Sequence, residues 1–101
     1  MLFLVISTPR SEKPSTMALS RQGFWNWMDP HLQSEVVKWT YGRTGRGAVA
    51  VFDVDSNETL HRLLNEWAEI IPATFEIHPL IDVAASRKFL ATQTRKKRRT
   101  K

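Results

Sequence analysis

The chain has 101 residues and a mass of 11.7 kDa, with 42% hydrophobic and 25% charged residues, which suits one domain and excludes a multidomain enzyme. It has no cysteine, so disulfides, thiolate nucleophiles and cysteine-ligated metal centres are excluded, and nothing argues for secretion. Six of the positive charges behind the net +5 lie in residues 95–101, which leaves the rest of the chain at −1; contact with nucleic acid is therefore expected only as nonspecific attraction through a tail.

Residues 2–7 (LFLVIS) are β-prone and almost continuously apolar, the pattern of a central strand buried on both faces. Pro9 and Arg10 end this run long before the ~18 apolar residues of a membrane span. No basic segment precedes it and no cleavage site follows, so a cytoplasmic chain without signal peptide or membrane contact is expected. After Pro9 and Pro14, Ser15 can cap a first helix carrying Met17, Leu19, Phe24, Trp25, Trp27 and Met28. Pro30 disfavours helical geometry at Asp29, which predicts that this helix ends or kinks near Met28, with a turn to Ser34.

Two β-rich runs, 36–41 and 48–54, flank Gly42, Gly45 and Gly47, a hairpin signature. A glycine-rich phosphate loop is the alternative, but the segment matches neither GxGxxG nor GxxxxGK[ST] and joins strand to strand. Ser56 then caps a second helix in which Leu60, Leu63, Leu64 and Trp67 fall at i, i+3, i+4 and i+7, with Glu58 near its positive end. Pro72 stops it. Residues 74–78 alternate, with Phe75 and Ile77 on one face and Thr74, Glu76 and His78 on the other, and Pro79 ends the strand. Residues 82–94 read as a weak extension whose Phe89 and Leu90 could dock on a partner subunit, and the like-charged run 95–101 is expected to be disordered.

The element order β, α, β, β, α, β describes a ferredoxin-like α+β domain over residues 1–82, followed by a C-terminal extension with a disordered basic tail over 83–101. Its four-stranded antiparallel sheet would carry two helices on one face. The other face needs a cover, and the simplest is the same face of a second copy in a closed twofold dimer, a dimeric α+β barrel.

Met1, Leu2, Phe3 and Val5, then Trp39 and Gly42, the run Val51, Phe52, Asp53, Val54, and Leu60, His61 and Leu64 on the second helix follow a pattern that resembles the muconolactone isomerases and related small dimeric α+β barrel proteins. Glu76 also falls at a similar place in the last strand. The resemblance covers residues 1–5 and roughly 39–80; residues 8–38 are not matched. It implies a homodimer or larger homo-oligomer and isomerase- or cyclase-like chemistry, without a cofactor, on a small organic acid, an unsaturated lactone or a polyketide-like carbonyl compound. The fold also hosts plain binding proteins, so a non-catalytic small-molecule-binding or accessory dimer is the alternative.

Moving a double bond next to a carbonyl requires a base, an acid and a donor for the enolate oxygen. The candidate proton carriers are His78 and Glu76, which share a strand face, together with His31 and Tyr41. Trp25, Trp39, Phe52 and His61 are candidate substrate-binding residues. Each has a plainer reading: His31 as an exposed turn residue, His61 as a surface flank of the second helix, and the aromatic residues of the first helix as core. No metal is expected, because the three histidines lack any short ligand spacing.

Overall fold

Burial alternates residue by residue along the first strand, and that alternation separates a helix-covered sheet face from an uncovered one. The computed structural model describes residues 1–10 and 13–99. These form β1 (Leu2–Pro9), a 3-10 turn (Pro14–Met17), α1 (Ala18–Gln33), β2 (Val37–Gly42), β3 (Ala48–Asp53), α2 (Asn57–Ile70), β4 (Ala73–Leu80) and α3 (Val83–Arg99). The sheet is antiparallel throughout, in the order β2-β3-β1-β4. The architecture is α+β and compatible with a ferredoxin-like fold, with β1 central as its sequence requires.

Phe3 and Val5 of β1 and Ala48, Ala50 and Phe52 of β3 form the floor of the core, which α1 covers with Phe24 and Met28 and α2 with Leu60, Leu63, Leu64 and Trp67. Trp67 is the hub. Its ring lies 4.8 Å from Phe24, 5.2 Å from Phe75 and 6.4 Å from Phe52, so one indole touches α1, β4 and β3 together. Ser56 caps α2 as expected, its hydroxyl accepting from the Thr59 N–H at 3.1 Å.

Four features of the helices and strands differ from the sequence expectation. Ser15 does not cap α1: Pro14 starts a separate 3-10 turn, in which Thr16 bonds back to the Lys13 carbonyl, and α1 begins at Ala18 without a side-chain cap. Pro30 neither ends nor breaks α1. A proline removes only its own N–H, its carbonyl still accepts from Ser34 N–H at 3.0 Å, and Phe24 and Met28 before it and Leu32 after it anchor the helix on the core. Closure comes five residues later at Glu35, whose φ of 64° turns the chain in the left-handed region. Pro79 lies inside β4 rather than ending it, because β4 is an edge strand and can spare an N–H.

The fourth concerns the tail, where disorder was expected from residue 95. The weak extension is a helix instead: Asp82 caps it by accepting from Ala85 N–H at 2.7 Å, alanines and leucine follow, and α3 continues to Arg99. Thr100 and Lys101 lie outside the described residues. Among the described residues no helix is long and apolar enough to cross a membrane.

A bond between helices makes stability depend on pH. Trp27 Nε1–H donates to Glu66 Oε1 at 2.9 Å, and Arg62 pairs with Oε2 at 2.9 Å. The indole bond, with help from Arg62, holds the Glu66 carboxyl below the usual glutamate value. A depressed carboxylate contributes stability that is present above the unfolded-state value and is lost as pH falls through the folded-state one. Urea unfolding should therefore show wild type losing more stability than Glu66→Gln as pH falls from roughly 5 to roughly 3. Trp67→Ala should cost about 3–5 kcal/mol at neutral pH in the same measurement.

Candidate functional site

Cross-strand register assembles the uncovered face into rows. Trp39 of β2 stands opposite Val51 of β3, Val51 opposite Leu4 of β1, and Leu4 opposite His78 of β4. The next row runs Tyr41, Val49, Ile6, Glu76, and a third places Asp53 beside Leu2 and Leu2 beside Leu80. Each of the first two rows thus has an aromatic ring at one edge, two aliphatic residues in the middle and an ionisable residue at the other edge.

The ionisable ends touch. His78 Nε2 lies 2.5 Å from Glu76 Oε2, because residues two apart on a strand share a face. Both stay about half exposed or more, at 50% and 66% of their side chains. Trp39 and Tyr41 are also in contact, with ring centroids 5.5 Å apart. Three inter-strand steps of ~4.8 Å put about 14 Å between the aromatic pair and the His–Glu pair.

A bulge aims the aromatic pair. Val37 pairs with Phe52 on the covered face and is 1% exposed, whereas Trp39 pairs with Val51 on the open face and is 41% exposed. Plain alternation would put residues 37 and 39 on the same side; the register shift between them reverses it. Lys38 in the bulge reaches Asp53 at 3.7 Å and Glu35 at 3.9 Å, so the charge at this end of the face is compensated.

The structure therefore brings four of the eight sequence candidates, His78, Glu76, Tyr41 and Trp39, onto one face. The other four lie on the covered side. His31 lies in the last turn of α1 with its ring 4.8 Å from that of Trp27. His61 sits on the exposed side of α2 beside Asn65, and borders a shallow groove of about 610 Å³ between α2 and β4. Phe52 is fully buried beneath the helices and presents no surface to a ligand. Its neighbour Val51 faces the open side, and alternation along β3 explains why the two differ. Trp25 is exposed on α1 and borders a smaller cavity of about 200 Å³ at the end of the sheet where the β2–β3 loop closes. Sequence reading did not assign the aliphatic floor of the open face, Leu4, Ile6, Val49 and Val51, to the site; the signal was the unbroken hydrophobicity of β1. It also missed Arg21 and Arg43, which line the smaller cavity. Among the described residues no three His, Asp or Glu side chains converge to hold a metal.

The His78–Glu76 pair is a solvent-screened contact, so it contributes little to folding. His78→Gln and Glu76→Gln should each shift the unfolding free energy by no more than about 1 kcal/mol in urea titrations, which leaves both variants usable for functional assays.

A search of curated proteins finds no match to the chain. Residues 1–94 match the family model described as a domain of unknown function, DUF3303. That match spans all four strands and most of α3, and the chain belongs to the DUF3303 family.

Proposed function

We propose that two copies of the chain close their open sheet faces on each other, and that the space between them holds an unsaturated lactone or polyketide-like carbonyl compound whose double bond is moved by proton transfer through His78 and Glu76. The observation that carries this reading is the contact between those two residues at the end of apolar rows on the sheet face away from α1 and α2. The likeness of residues 1–5 and 39–80 to the muconolactone isomerases supports it. An isologous twofold contact suits the surface, since Leu4, Ile6, Val49 and Val51 would meet the same residues of a partner and lose their remaining water.

In this reading the pair divides the work. With Nε2–H donated to Glu76, His78 keeps a lone pair on Nδ1 and removes a proton from the carbon between the carbonyl and the double bond. The electrons pass into the carbonyl and give a dienolate. Indole N–H of Trp39 and the hydroxyl of Tyr41, brought across the twofold axis by the second copy, donate to its oxygen. The same proton then returns at the far end of the dienolate, and the product is the conjugated isomer with no net change in atoms. Closing the chamber also strengthens each of these interactions by removing water.

Sedimentation equilibrium at micromolar concentration should give a dimer, and Leu4→Asp should give a folded monomer. A five-membered β,γ-unsaturated lactone, followed by the ultraviolet absorbance of its conjugated product, should be isomerised by wild type and at least about 100-fold more slowly by His78→Gln. A wild-type monomer with a wet sheet face, or turnover unchanged in His78→Gln, would overturn the proposal. Saturable lactone binding by a dimer without turnover would instead establish the non-catalytic alternative.

A further inference from the structure

The cavity of about 200 Å³ lies on the other side of the sheet from His78 and Glu76, and its lining divides sharply by chemistry. Its floor is apolar, made by Phe24, Trp67, Ile71 and the Ala48 and Ala73 methyls. Its rim is cationic, with Arg21 from α1 and Arg43 and Arg46 from the loop between β2 and β3. No acidic residue lines it among the described residues.

The rim is built rather than merely present. Arg43 N–H donates to the Gly47 carbonyl at 2.9 Å, which closes the loop on itself. Gly47 has φ +99°, and a Cβ there would stand 2.3 Å from the Ser7 carbonyl oxygen, so this loop can press against β1 only with glycine at that position. Arg43 Nη1 donates to the same Ser7 carbonyl at 2.9 Å and to Thr8 Oγ1 at 3.1 Å. Both acceptors are neutral, so these bonds fix the guanidinium at the mouth without cancelling its charge, and leave its other N–H groups for a ligand. Arg21 forms none of the ion pairs among the described residues, and Trp25 stands one helical turn further along the same side of α1.

We infer that this cavity is a binding site for a small amphipathic carboxylate, a single aromatic or branched aliphatic body seated on the Phe24–Trp67 floor with its carboxylate held by Arg21 and Arg43. Size agrees with the chemistry. An apolar cavity of ~150 Å³ in another protein takes up benzene, so 200 Å³ accommodates one ring and a carboxylate. Guanidinium forks suit a planar carboxylate, and a desolvated floor lowers the dielectric around that contact. A strongly hydrated inorganic anion would gain nothing from the floor, and a neutral ring would gain nothing from the rim. The site is separate from the proposed catalytic face: it opens beside α1 and the hairpin loop, and neither dimerisation nor turnover is needed for it to fill.

Benzoate is the probe, added to the full chain and followed by quenching of tryptophan fluorescence, since Trp25 and Trp67 both line the cavity. Saturable quenching is expected, with benzamide and inorganic phosphate each at least about tenfold weaker. Arg21→Gln should weaken benzoate at least about tenfold at an unchanged melting temperature, because Arg21 is exposed and carries no packing. Arg87→Gln on α3 removes the same charge far from the cavity and should bind as wild type. Absence of saturable quenching, equal binding of benzamide or phosphate, or equal loss in Arg21→Gln and Arg87→Gln would each overturn the assignment.

Discussion

A four-stranded sheet has two faces, and in this chain α1 and α2 lie on the same one. That constraint orders everything else. The covered face holds the core around Trp67, and its residues are small or apolar where the helices press closest, Ala48, Ala50 and Val5 among them. The face away from α1 and α2 carries aliphatic side chains as well, Leu2, Leu4, Ile6 and Val49 partly exposed and Val51 already buried at 7% among its neighbours in the sheet. Fully burying an exposed aliphatic side chain is worth on the order of 1.5–3 kcal/mol, and the partly exposed ones here would gain a fraction of that each in the proposed dimer. A site with polar groups at the edges of an apolar floor then follows from where each strand begins and ends.

Much of this was legible because local and global signals agree. The i, i+3, i+4, i+7 leucines and Trp67 define α2 and its buried stripe, Ser56 its start, and the glycine loop its preceding hairpin. Alternation in β4 correctly put Glu76 and His78 together, since strand geometry leaves residues two apart no other choice. What was illegible needed information from elsewhere in the chain. The bulge that separates Val37 from Trp39 depends on pairing with β3, and no local pattern marks it. Pro30 looked like a helix end because propensity opposes it by about 3 kcal/mol, and packing of Phe24, Met28 and Leu32 outweighs that locally. Phe52 looked available for a ligand because sequence alone does not say which face of β3 is covered.

Charge is distributed as unevenly as hydrophobicity. Residues 1–82 contain ten acidic and seven basic residues, whereas residues 83–101 contain eight basic residues and no acidic one. The body is thus mildly acidic and α3 is wholly basic. Its exposed Phe89 and Leu90 lie in its first half and the densest basic run in its second, so apolar and electrostatic attraction would act on different parts of one helix. The helix extends the molecule to 65 Å along its longest axis, against 26 and 20 Å across. The family match ends at residue 94, so the five consecutive basic residues 95–99 stand beyond it.

One strand ties the two sides of the sheet together. Along β1, Leu4 and Ile6 face the open rows while Val5 and Ser7 face the helices, and Ser7 also closes the arginine-rimmed cavity. The Ser7 hydroxyl accepts from Ala48 N–H at 2.9 Å and donates to the Ala48 carbonyl at 3.2 Å, while its own carbonyl accepts from Arg43. Ser7 is therefore the one buried polar side chain of the described core, and every hydrogen bond it makes fixes the register of β1 against the hairpin. A slip of one residue would exchange the two faces, expose Val5 and bury Thr8. The register that seats the hairpin loop beside Arg21 is thus the same one that sets Leu4 and Ile6 opposite His78 and Glu76, and the cavity and the His–Glu rows cannot be altered in register one without the other.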